Sequence, residues 1–333
     1  MARILDVASA KQQRINPSAL PAKKGGKSRR PGGRPPGAPV IRQATARDWI
    51  GGARLRTLPL AIAPVALGTS TAYLLGDGGW HWVRALLALA VAVALQIGVN
   101  FANDYSDGVR GTDKRRVGPA RLTGSGAAKP RTVLTVALVF FGLAALAGIA
   151  LVVLSGQYWL LAVGVVCIVA AWFYTGGKKP YGYFGLGELI VFVFFGLVAT
   201  AGTTYTQVGT VDVTTWVAGA LAGLFACATL MINNVRDIEQ DKAAGKRTLA
   251  VIIGNLPARI TYAVLMALPF IGLVFFVLLF ENSGYVYFTA FIAIPAILIG
   301  LTGKQPSELI IALQLTTLTA LLFAVSLALT IAF

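Results

Sequence analysis

Long apolar runs separated by short polar breaks fill the sequence from residue 57 onward. A helix rises 1.5 Å per residue, so about 20 residues are needed to cross a hydrocarbon core of about 30 Å. Nine runs approach or exceed this length: about 57–75, 83–102, 131–154, 157–175, 186–207, 214–234, 259–280, 284–301 and 307–330. Their apolarity is nearly continuous, whereas the strands of a membrane barrel alternate. We therefore predict an all-α membrane protein with about nine transmembrane helices.

Basic residues are concentrated at the start of the chain. Residues 1–56 hold 13 of the 29 Lys and Arg but only two of the 13 Asp and Glu. Up to about residue 40 the composition is rich in Pro and Gly without apolar periodicity, so this stretch cannot bury enough surface to fold. We interpret residues 1–47 as a disordered basic tail, either a solvated extension or a segment attracted to anionic membrane lipids. Residues 48–333 are interpreted as one helical domain.

The charges that follow the tail predict the orientation of the helices. Of the 16 Lys and Arg after residue 56, 15 lie in the loops after even-numbered runs, and only Arg84 lies in a loop after an odd-numbered run. Cytoplasmic loops are enriched in Lys and Arg. The pattern predicts a cytoplasmic N-terminus and an external C-terminus. The net charge of +16 belongs to the tail and loops of a chain that is 56% hydrophobic, so we expect no nucleic-acid partner.

Acidic residues are rare, and six of the 13 lie at the cytoplasmic ends of the second and sixth runs. In the first acidic group, Asp104 and Asp107 share a helix face, and Asp113 follows. Asn100 stands four residues before Asp104, and Asn103 stands four residues before Asp107. Because like charges on one face repel, this group favours a cation held between its carboxylates.

The second acidic group has a similar arrangement. Asp237 and Asp241 are one helical turn apart, and Asn233 lies one turn earlier. Sets of carboxylate and carboxamide oxygens suit Mg²⁺, which often binds through a few carboxylates and substrate phosphates. Each group is therefore a candidate site for a diphosphate with an apolar tail, or alternatively a solvated loop whose acids and bases neutralise one another. Six basic residues are candidates to bind the diphosphate. Arg110, Arg236, Lys246 and Arg247 lie close to the groups in sequence, and Lys178 and Lys179 lie in the loop after the fourth run.

Both acidic groups match the motifs of a known family. The first has the pattern NDxxD followed by another acid, and the second has DxxxD. The matching residues are Asn103, Asp104, Asp107, Asp113, Asp237 and Asp241. Over about residues 49–330 the sequence resembles the UbiA superfamily of intramembrane prenyltransferases, and most closely its MenA-type 1,4-dihydroxy-2-naphthoate polyprenyltransferases. Segments that carry the closer resemblance include RLRTLPLAIAPVALGT (54–69), AWFYTGGKKPYGYFGLGE (171–188) and NNVRDIEQDKAAGKRTLAV (233–251).

The resemblance implies helices around a central cavity, with cap loops on the cytoplasmic side. It also implies two Mg²⁺ ions that bridge the diphosphate of the substrate. The implied metal ligands are Asp104, Asp107, Asp113, Asp237 and Asp241. Asn100, Asn103, Asn233 and the six basic candidates would bind substrate. The ring of Tyr174 would stabilise an allylic cation, which makes Tyr174 a catalytic candidate together with Asp104, Asp107, Asp237 and Asp241.

The implied reaction joins polyprenyl diphosphate to 1,4-dihydroxy-2-naphthoate, with loss of diphosphate and CO₂, and gives demethylmenaquinone at the plasma membrane. One alternative is the same chemistry on another acceptor, such as 4-hydroxybenzoate, homogentisate, a porphyrin-type alcohol or a phosphoribose. Another is an ion-coupled transporter, although transporters place ionisable groups near the bilayer midplane. Arg54, Arg56 and Glu188 are candidates to hold the acceptor carboxylate or take a ring proton.

Overall fold

The computed structural model describes residues 42–112 and 121–333, and within these ranges it contains helices and loops but no strand. Residues 1–41 of the predicted basic tail, and Asp113, lie outside the described residues. The α-helices are α1 (Ala46–Ala53), α2 (Pro59–Leu75), α3 (Trp82–Arg110), α4 (Pro130–Ser155), α5 (Leu160–Phe173), α6 (Gly187–Val191), α7 (Ala199–Val208), α8 (Val213–Ala243), α9 (Leu249–Ile253), α10 (Asn255–Val277), α11 (Ala290–Thr302) and α12 (Pro306–Ala332). The 3₁₀ segments include Leu55–Thr57, Tyr181–Tyr183 and Glu281–Thr289, and a π-helical segment spans Phe192–Val198.

Seven helical segments in the described ranges are long and apolar enough to cross a membrane. They are Trp82–Arg110, Pro130–Ser155, Gly187–Val208, Val213–Ala243, Asn255–Val277, Glu281–Thr302 and Pro306–Ala332. An eighth candidate span is Ala46–Thr57 followed by Pro59–Leu75, a pair bent by 45°. These helices confirm the predicted all-α membrane fold. The count of nine is not confirmed, because the run at 157–175 contains only the 14-residue helix α5.

Glycines in the left-handed conformation stand on both sides of α5 and explain its length. Gly156, with φ +72°, ends α4, and the chain turns before α5 begins at Leu160. Gly177, with φ +74°, lies in the turn that follows Phe173. Glycine adopts this conformation without the steric penalty that a Cβ atom brings. The apolar residues at the two ends of the predicted run therefore lie in turns.

Helix α8 is the most buried of the long helices. Of its apolar window, 72% lies inside the protein, compared with 28% for α4 and for α10. A Cβ atom on Gly196, in the π-helical segment, would lie 2.6 Å from Gly219 O and 2.6 Å from Gly223 Cα, so the two backbones touch. Small residues at such crossings allow close packing in membranes. This packing fixes α8, whose C-terminal end carries the second acidic group.

A polar seam joins α2 to α7 inside the bundle. The hydroxyls of Thr71 and Thr204 are 2.8 Å apart, and Thr204 also donates to the carbonyl of Gly68 at 2.9 Å. These bonds satisfy polar groups that would otherwise be costly in a hydrocarbon environment. The seam aligns two helices that form part of the wall of the cavity described next.

Candidate active site

A cavity of about 510 Å³ lies among α2, α3, α4, α5, α7 and the C-terminal part of α8. Its body is apolar, with walls that include Leu60, Val65, Val91, Leu95, Leu151, Ile168, Val191, Phe194 and Phe195. The charged and amide side chains that line it come mostly from the C-terminal ends of α3 and α8 and the loops beside them. They include Asn100, Asn103, Asp107, Arg121, Asn233, Asn234, Asp237, Asp241 and Lys246. Both acidic groups therefore contribute to one charged end of a single apolar cavity.

Asp107 is the centre of this charged end, and its side chain is almost fully buried. Lys246 Nζ donates to Asp107 Oδ2 at 3.0 Å, and Arg121 Nη1 donates to the same oxygen. The hydroxyl of Tyr183 donates to Asp107 Oδ1. Lys246 Nζ also lies 3.8 Å from Asp241 Oδ1. One ammonium group thus links the first acidic group to the second.

The second acidic group contains a local ion pair. Arg236 Nε donates to Asp237 Oδ1 at 2.7 Å, and Arg236 Nη2 donates to Asp237 Oδ2 at 2.6 Å. The same Nη2 also donates to Asn233 Oδ1 at 2.9 Å. Two parallel bonds of this kind hold a guanidinium and a carboxylate in a fixed geometry. Arg236 Nη1 is buried and has no hydrogen-bond partner among the described residues.

Asp104 is placed differently from the other motif aspartates. Its carboxylate is 2% exposed and does not line the cavity. Oδ2 accepts a hydrogen bond from the backbone N–H of Leu122, and Oδ1 accepts one from the N–H of Thr123, both at 2.8 Å. Asp104 therefore binds the loop that follows α3. Its predicted role as a metal ligand stays a prediction.

The two asparagines of the first acidic group connect helices at the edge of the cavity. Asn100 Nδ2 donates to Ala53 O at 3.0 Å, which ties α1 to α3. Asn103 Oδ1 accepts a hydrogen bond from the Thr175 hydroxyl at 2.6 Å. The backbone carbonyl of Asn103 accepts another from Arg121 Nη1 at 3.1 Å. Both side chains line the cavity, so they contribute to its shape as well as to its polarity.

Five of the six basic candidates do not line the cavity: Arg110, Lys178, Lys179, Arg236 and Arg247. Arg110 donates to the backbone carbonyls of Thr175 and Gly177 and so holds the turn after α5. Lys178, Lys179 and Arg247 are exposed. Lys246 reaches the cavity itself, and Arg236 reaches it through its bonds to Asp237. The proposed role of the others in substrate binding stays a prediction.

Three tyrosines lie close to the charged end. Tyr174 lines the cavity and packs edge-to-face on Tyr181, with ring centroids 5.6 Å apart. Burial and the nearby carboxylate of Glu188 raise the pKa of Tyr174 well above its ordinary value. Burial and the Asp107 carboxylate also raise the pKa of Tyr183. Lys246 Nζ lies 4.8 Å from the centroid of the Tyr183 ring. These phenols remain protonated at neutral pH.

The donors at the charged end fit a hard divalent cation. They are the carboxylates of Asp107, Asp237 and Asp241 and the carboxamides of Asn103, Asn233 and Asn234. All offer oxygen, with no thiolate or imidazole among them, and such sets suit Mg²⁺. In the described ranges no three carboxylate, thiolate or imidazole residues are clustered tightly enough to hold a metal alone. A site completed by substrate phosphates is compatible with both observations.

Comparison with known proteins identifies the family. Residues 61–308 match the UbiA prenyltransferase family. The chain belongs to this family. It is 50% identical over 297 residues to "1,4-dihydroxy-2-naphthoate octaprenyltransferase" of Mycobacterium tuberculosis, a match that covers 87% of this chain and 98% of that protein. The protein of the same name from Mycobacterium leprae is 54% identical over 226 residues, covering 67% and 75% of the two chains.

A solved UbiA homologue has the same fold. The structure of the Archaeoglobus fulgidus protein bound to GPP and Mg²⁺ aligns with a TM-score of 0.59 at 16% identity, and covers 86% of this chain and all of that one. Family membership confirms the predicted resemblance and the predicted enzyme class, a prenyltransferase. The protein is an integral membrane protein. The transporter hypothesis is therefore not supported.

The structure of this UbiA-family enzyme also reveals side chains that the sequence reasoning missed. Arg121 and Tyr183 bond to Asp107, and Asn234 lines the cavity while its Nδ2 donates to Glu188 Oε1 at 3.0 Å. Their positions depend on how loops fold back onto the helices. Tyr183 lies in a segment rich in glycine and aromatic residues, and that composition is a signal that could have directed attention to it.

Proposed function

We propose that this UbiA-family enzyme transfers a polyprenyl group from polyprenyl diphosphate to 1,4-dihydroxy-2-naphthoate, releasing diphosphate and CO₂ and forming the hydroquinone of demethylmenaquinone. The observation that carries the proposal is the placement of Asp107 and Asp241 around Lys246 at the charged end of an apolar cavity. An apolar body with one charged end matches a prenyl chain with a diphosphate head. The acceptor is supported by the name of the Mycobacterium tuberculosis relative, which aligns over 98% of its length.

Asp107, Asp237 and Asp241 would hold two Mg²⁺ ions, with the carboxamides of Asn103 and Asn233 beside them. Bound there, the metal would neutralise charge that develops on the leaving diphosphate. The chemistry of the donors supports this assignment, as does the GPP and Mg²⁺ bound to the Archaeoglobus fulgidus homologue.

Lys246, Arg121 and Arg236 supply positive charge from the chain itself. In this structure their charges are directed at the carboxylates of Asp107, Asp237 and Asp241. A diphosphate at the charged end would offer these donors phosphate oxygens at the same place. Preorganised cations stabilise the charge that forms as the allylic C–O bond breaks, with its electron pair leaving on the diphosphate.

The body of the cavity protects the reacting carbon. Its apolar walls exclude the water that would otherwise capture an allylic cation, and the neutral side chain of Tyr174, which lines the cavity, supplies an aromatic ring to stabilise that cation. The electron-rich ring of the acceptor then forms the new C–C bond. The bond from the ring to its carboxyl carbon breaks, CO₂ leaves, and its electron pair remains on the ring. Arg54, which also lines the cavity, stays a candidate for the acceptor carboxylate.

We also propose that the charged end faces the cytoplasm at the plasma membrane. The 15-to-1 distribution of basic residues between the two sets of loops supports this orientation. The partners in this proposal are the polyprenyl diphosphate, the aromatic acceptor and the surrounding membrane lipids. A cysteine-labelling experiment with a membrane-impermeant reagent on intact cells tests the orientation, and labelling near Lys178 from outside would contradict it.

An assay of the purified protein in detergent tests the reaction. The mixture contains Mg²⁺, a polyprenyl diphosphate and either 1,4-dihydroxy-2-naphthoate or 4-hydroxybenzoate. The proposal predicts the hydroquinone of demethylmenaquinone and CO₂ with the first acceptor and no product with the second. It also predicts no turnover after chelation of divalent cations, and recovery when Mg²⁺ is restored. Product only with 4-hydroxybenzoate, or with another of the alternative acceptors, would contradict the assignment.

A further inference from the structure

Asp104 lies in the sequence motif but is not directed into the cavity. Asp107, one helical turn later, lines the cavity and bonds to two cations, whereas Asp104 does not line the cavity and contacts no cation among the described residues. Both oxygens of Asp104 instead accept backbone N–H groups, from Leu122 and Thr123. A carboxylate that receives charge-assisted hydrogen bonds on both oxygens is strongly held in place. The two neighbouring motif aspartates therefore have different environments.

The loop that Asp104 holds is compact. Residues 121–128 are joined by backbone bonds from Ser125 N to Arg121 O, from Gly126 N to Thr123 O and from Ala128 N to Leu122 O. Leu122 is 3% exposed and packs in an apolar cluster with Phe101 and Phe141. The loop is thus attached to α3 by one carboxylate and one buried side chain, and it carries Arg121 at its start.

Gly108 provides a separate indication that this loop must approach α3 closely. A Cβ atom on Gly108 would lie 3.0 Å from Gly124 N and closer still to the side chain of Thr123. No side chain larger than that of glycine fits there unless the loop moves. Asp104 and Gly108 are four residues apart and so lie on the same face of α3. Asp104 and Gly108 therefore form one surface of α3 against which the loop packs.

We propose that Asp104 is a positioning residue that anchors the 121–128 loop, so that Arg121 is held at Asp107 and at the diphosphate site. Arg121 bonds to Asp107 and to the carbonyl of Asn103 only while the loop stays seated. This inference rests on the proposed function for its account of the substrate. It assigns the metal to Asp107, Asp237 and Asp241, and it removes Asp104 from the ligand set.

The variant Asp104→Asn tests this proposal directly. The asparagine NH₂ group is a donor and faces one of the two backbone N–H donors, so one of the two hydrogen bonds to the loop is lost. Hydrogen–deuterium exchange should show faster exchange at the amides of Leu122 and Thr123, together with normal protection in α8. The KM for prenyl diphosphate should rise about tenfold, the effect expected when a hydrogen bond to a charged group is lost. Mn²⁺ binding to the purified protein, measured by electron paramagnetic resonance, should match that of wild type.

A matched control and a double variant complete the experiment. Asp212→Asn makes the same change at another carboxylate that accepts a backbone N–H, the one that caps α8 at Thr215, and it should leave loop exchange and KM unchanged. Arg121→Ala should raise KM as Asp104→Asn does, and the double variant should be no worse than the poorer single variant. Weaker Mn²⁺ binding in Asp104→Asn with unchanged loop exchange would overturn the proposal.

Gly108→Ala keeps the test decisive if Asp104→Asn does not fold. The added methyl group displaces the loop and leaves every carboxylate intact, so the proposal predicts faster loop exchange and the same rise in KM. Normal exchange and KM in this variant would contradict the proposal. If wild type does not transfer prenyl groups but the exchange results are as predicted, the proposed function is wrong and Asp104 still anchors the loop. The role of Arg121 is then measured by the binding of diphosphate.

Discussion

The two acidic groups line the same cavity but are held in place by different kinds of contact. At the end of α3, Asp107 receives bonds from Arg121, Tyr183 and Lys246, which come from three separate loops. At the end of α8, the Asp237 carboxylate is held by the guanidinium of its neighbour Arg236. The first group is therefore assembled by tertiary structure, and the second contains a pair built into its own helix. This difference predicts how far the effect of a substitution extends.

The largest effect is expected from Asp107→Asn. This change removes the charge that holds donors from three loops, so it should lower the rate of prenyl transfer by about 100- to 1,000-fold, as when a group that stabilises developing charge is lost. The rate is measured with purified protein at saturating Mg²⁺. Thermal unfolding in detergent serves as a control for folding. A rate within a few-fold of wild type would contradict a central role for Asp107.

Lys246→Met should have the next largest effect. The substitution removes a cation that contacts both acidic groups, and we expect kcat/KM for prenyl diphosphate to fall by about 100-fold. Lys246→Arg is the matched variant, since it retains the charge, and it should recover part of the loss. If Lys246→Met changes kcat/KM for the acceptor alone, Lys246 does not belong to the diphosphate site.

Arg236→Lys tests the local pair at the end of α8. Lysine keeps the charge but cannot form both parallel bonds to Asp237, so we expect a decrease in kcat/KM of about 10- to 30-fold. Hydrogen exchange should increase only in the last turns of α8 and leave the 121–128 loop unaffected. Faster exchange in that loop would show that the second group depends on tertiary contacts as the first one does.

Tyr183→Phe should produce the smallest effect. It deletes one hydrogen bond to the Asp107 carboxylate, which corresponds to a loss of about tenfold or less in rate. The aromatic ring beside Lys246 is kept, and Lys246 and Arg121 still hold the carboxylate. A loss as large as that of Asp107→Asn would mean that the hydroxyl has a direct role in the reaction. Steady-state rates at saturating substrates distinguish these results.

The sequence was sufficient to predict the fold class and the acidic groups because both are local patterns. Apolar runs of about 20 residues define membrane helices, and Asp237 with Asn233 follows from helical spacing alone. The predicted number of nine transmembrane helices was not confirmed. Glycines with positive φ lie on both sides of α5, so apolar residues at the ends of that predicted run lie in turns. Hydropathy measures composition and does not report where a helix ends.

The remainder of the site depends on contacts between distant segments. Spacing on α3 puts Asp104 and Asp107 on one face, but it does not reveal that a loop covers the first carboxylate and leaves the second in the cavity. Arg121 and Tyr183 are 14 and 76 residues from Asp107 in sequence. Such pairs are set by loop closure, for which a single sequence contains no periodic signal.

Binding of a non-reactive prenyl thiodiphosphate tests most directly whether the two acidic groups form one site. Calorimetric titration in the presence of Mg²⁺ is carried out with wild type, Asp107→Asn, Asp241→Asn and the double variant. A shared site predicts that each single change weakens binding strongly and that the double variant is little worse than either one, since interacting residues are not additive. Fully additive losses in the double variant would indicate two independent sites and would contradict the account.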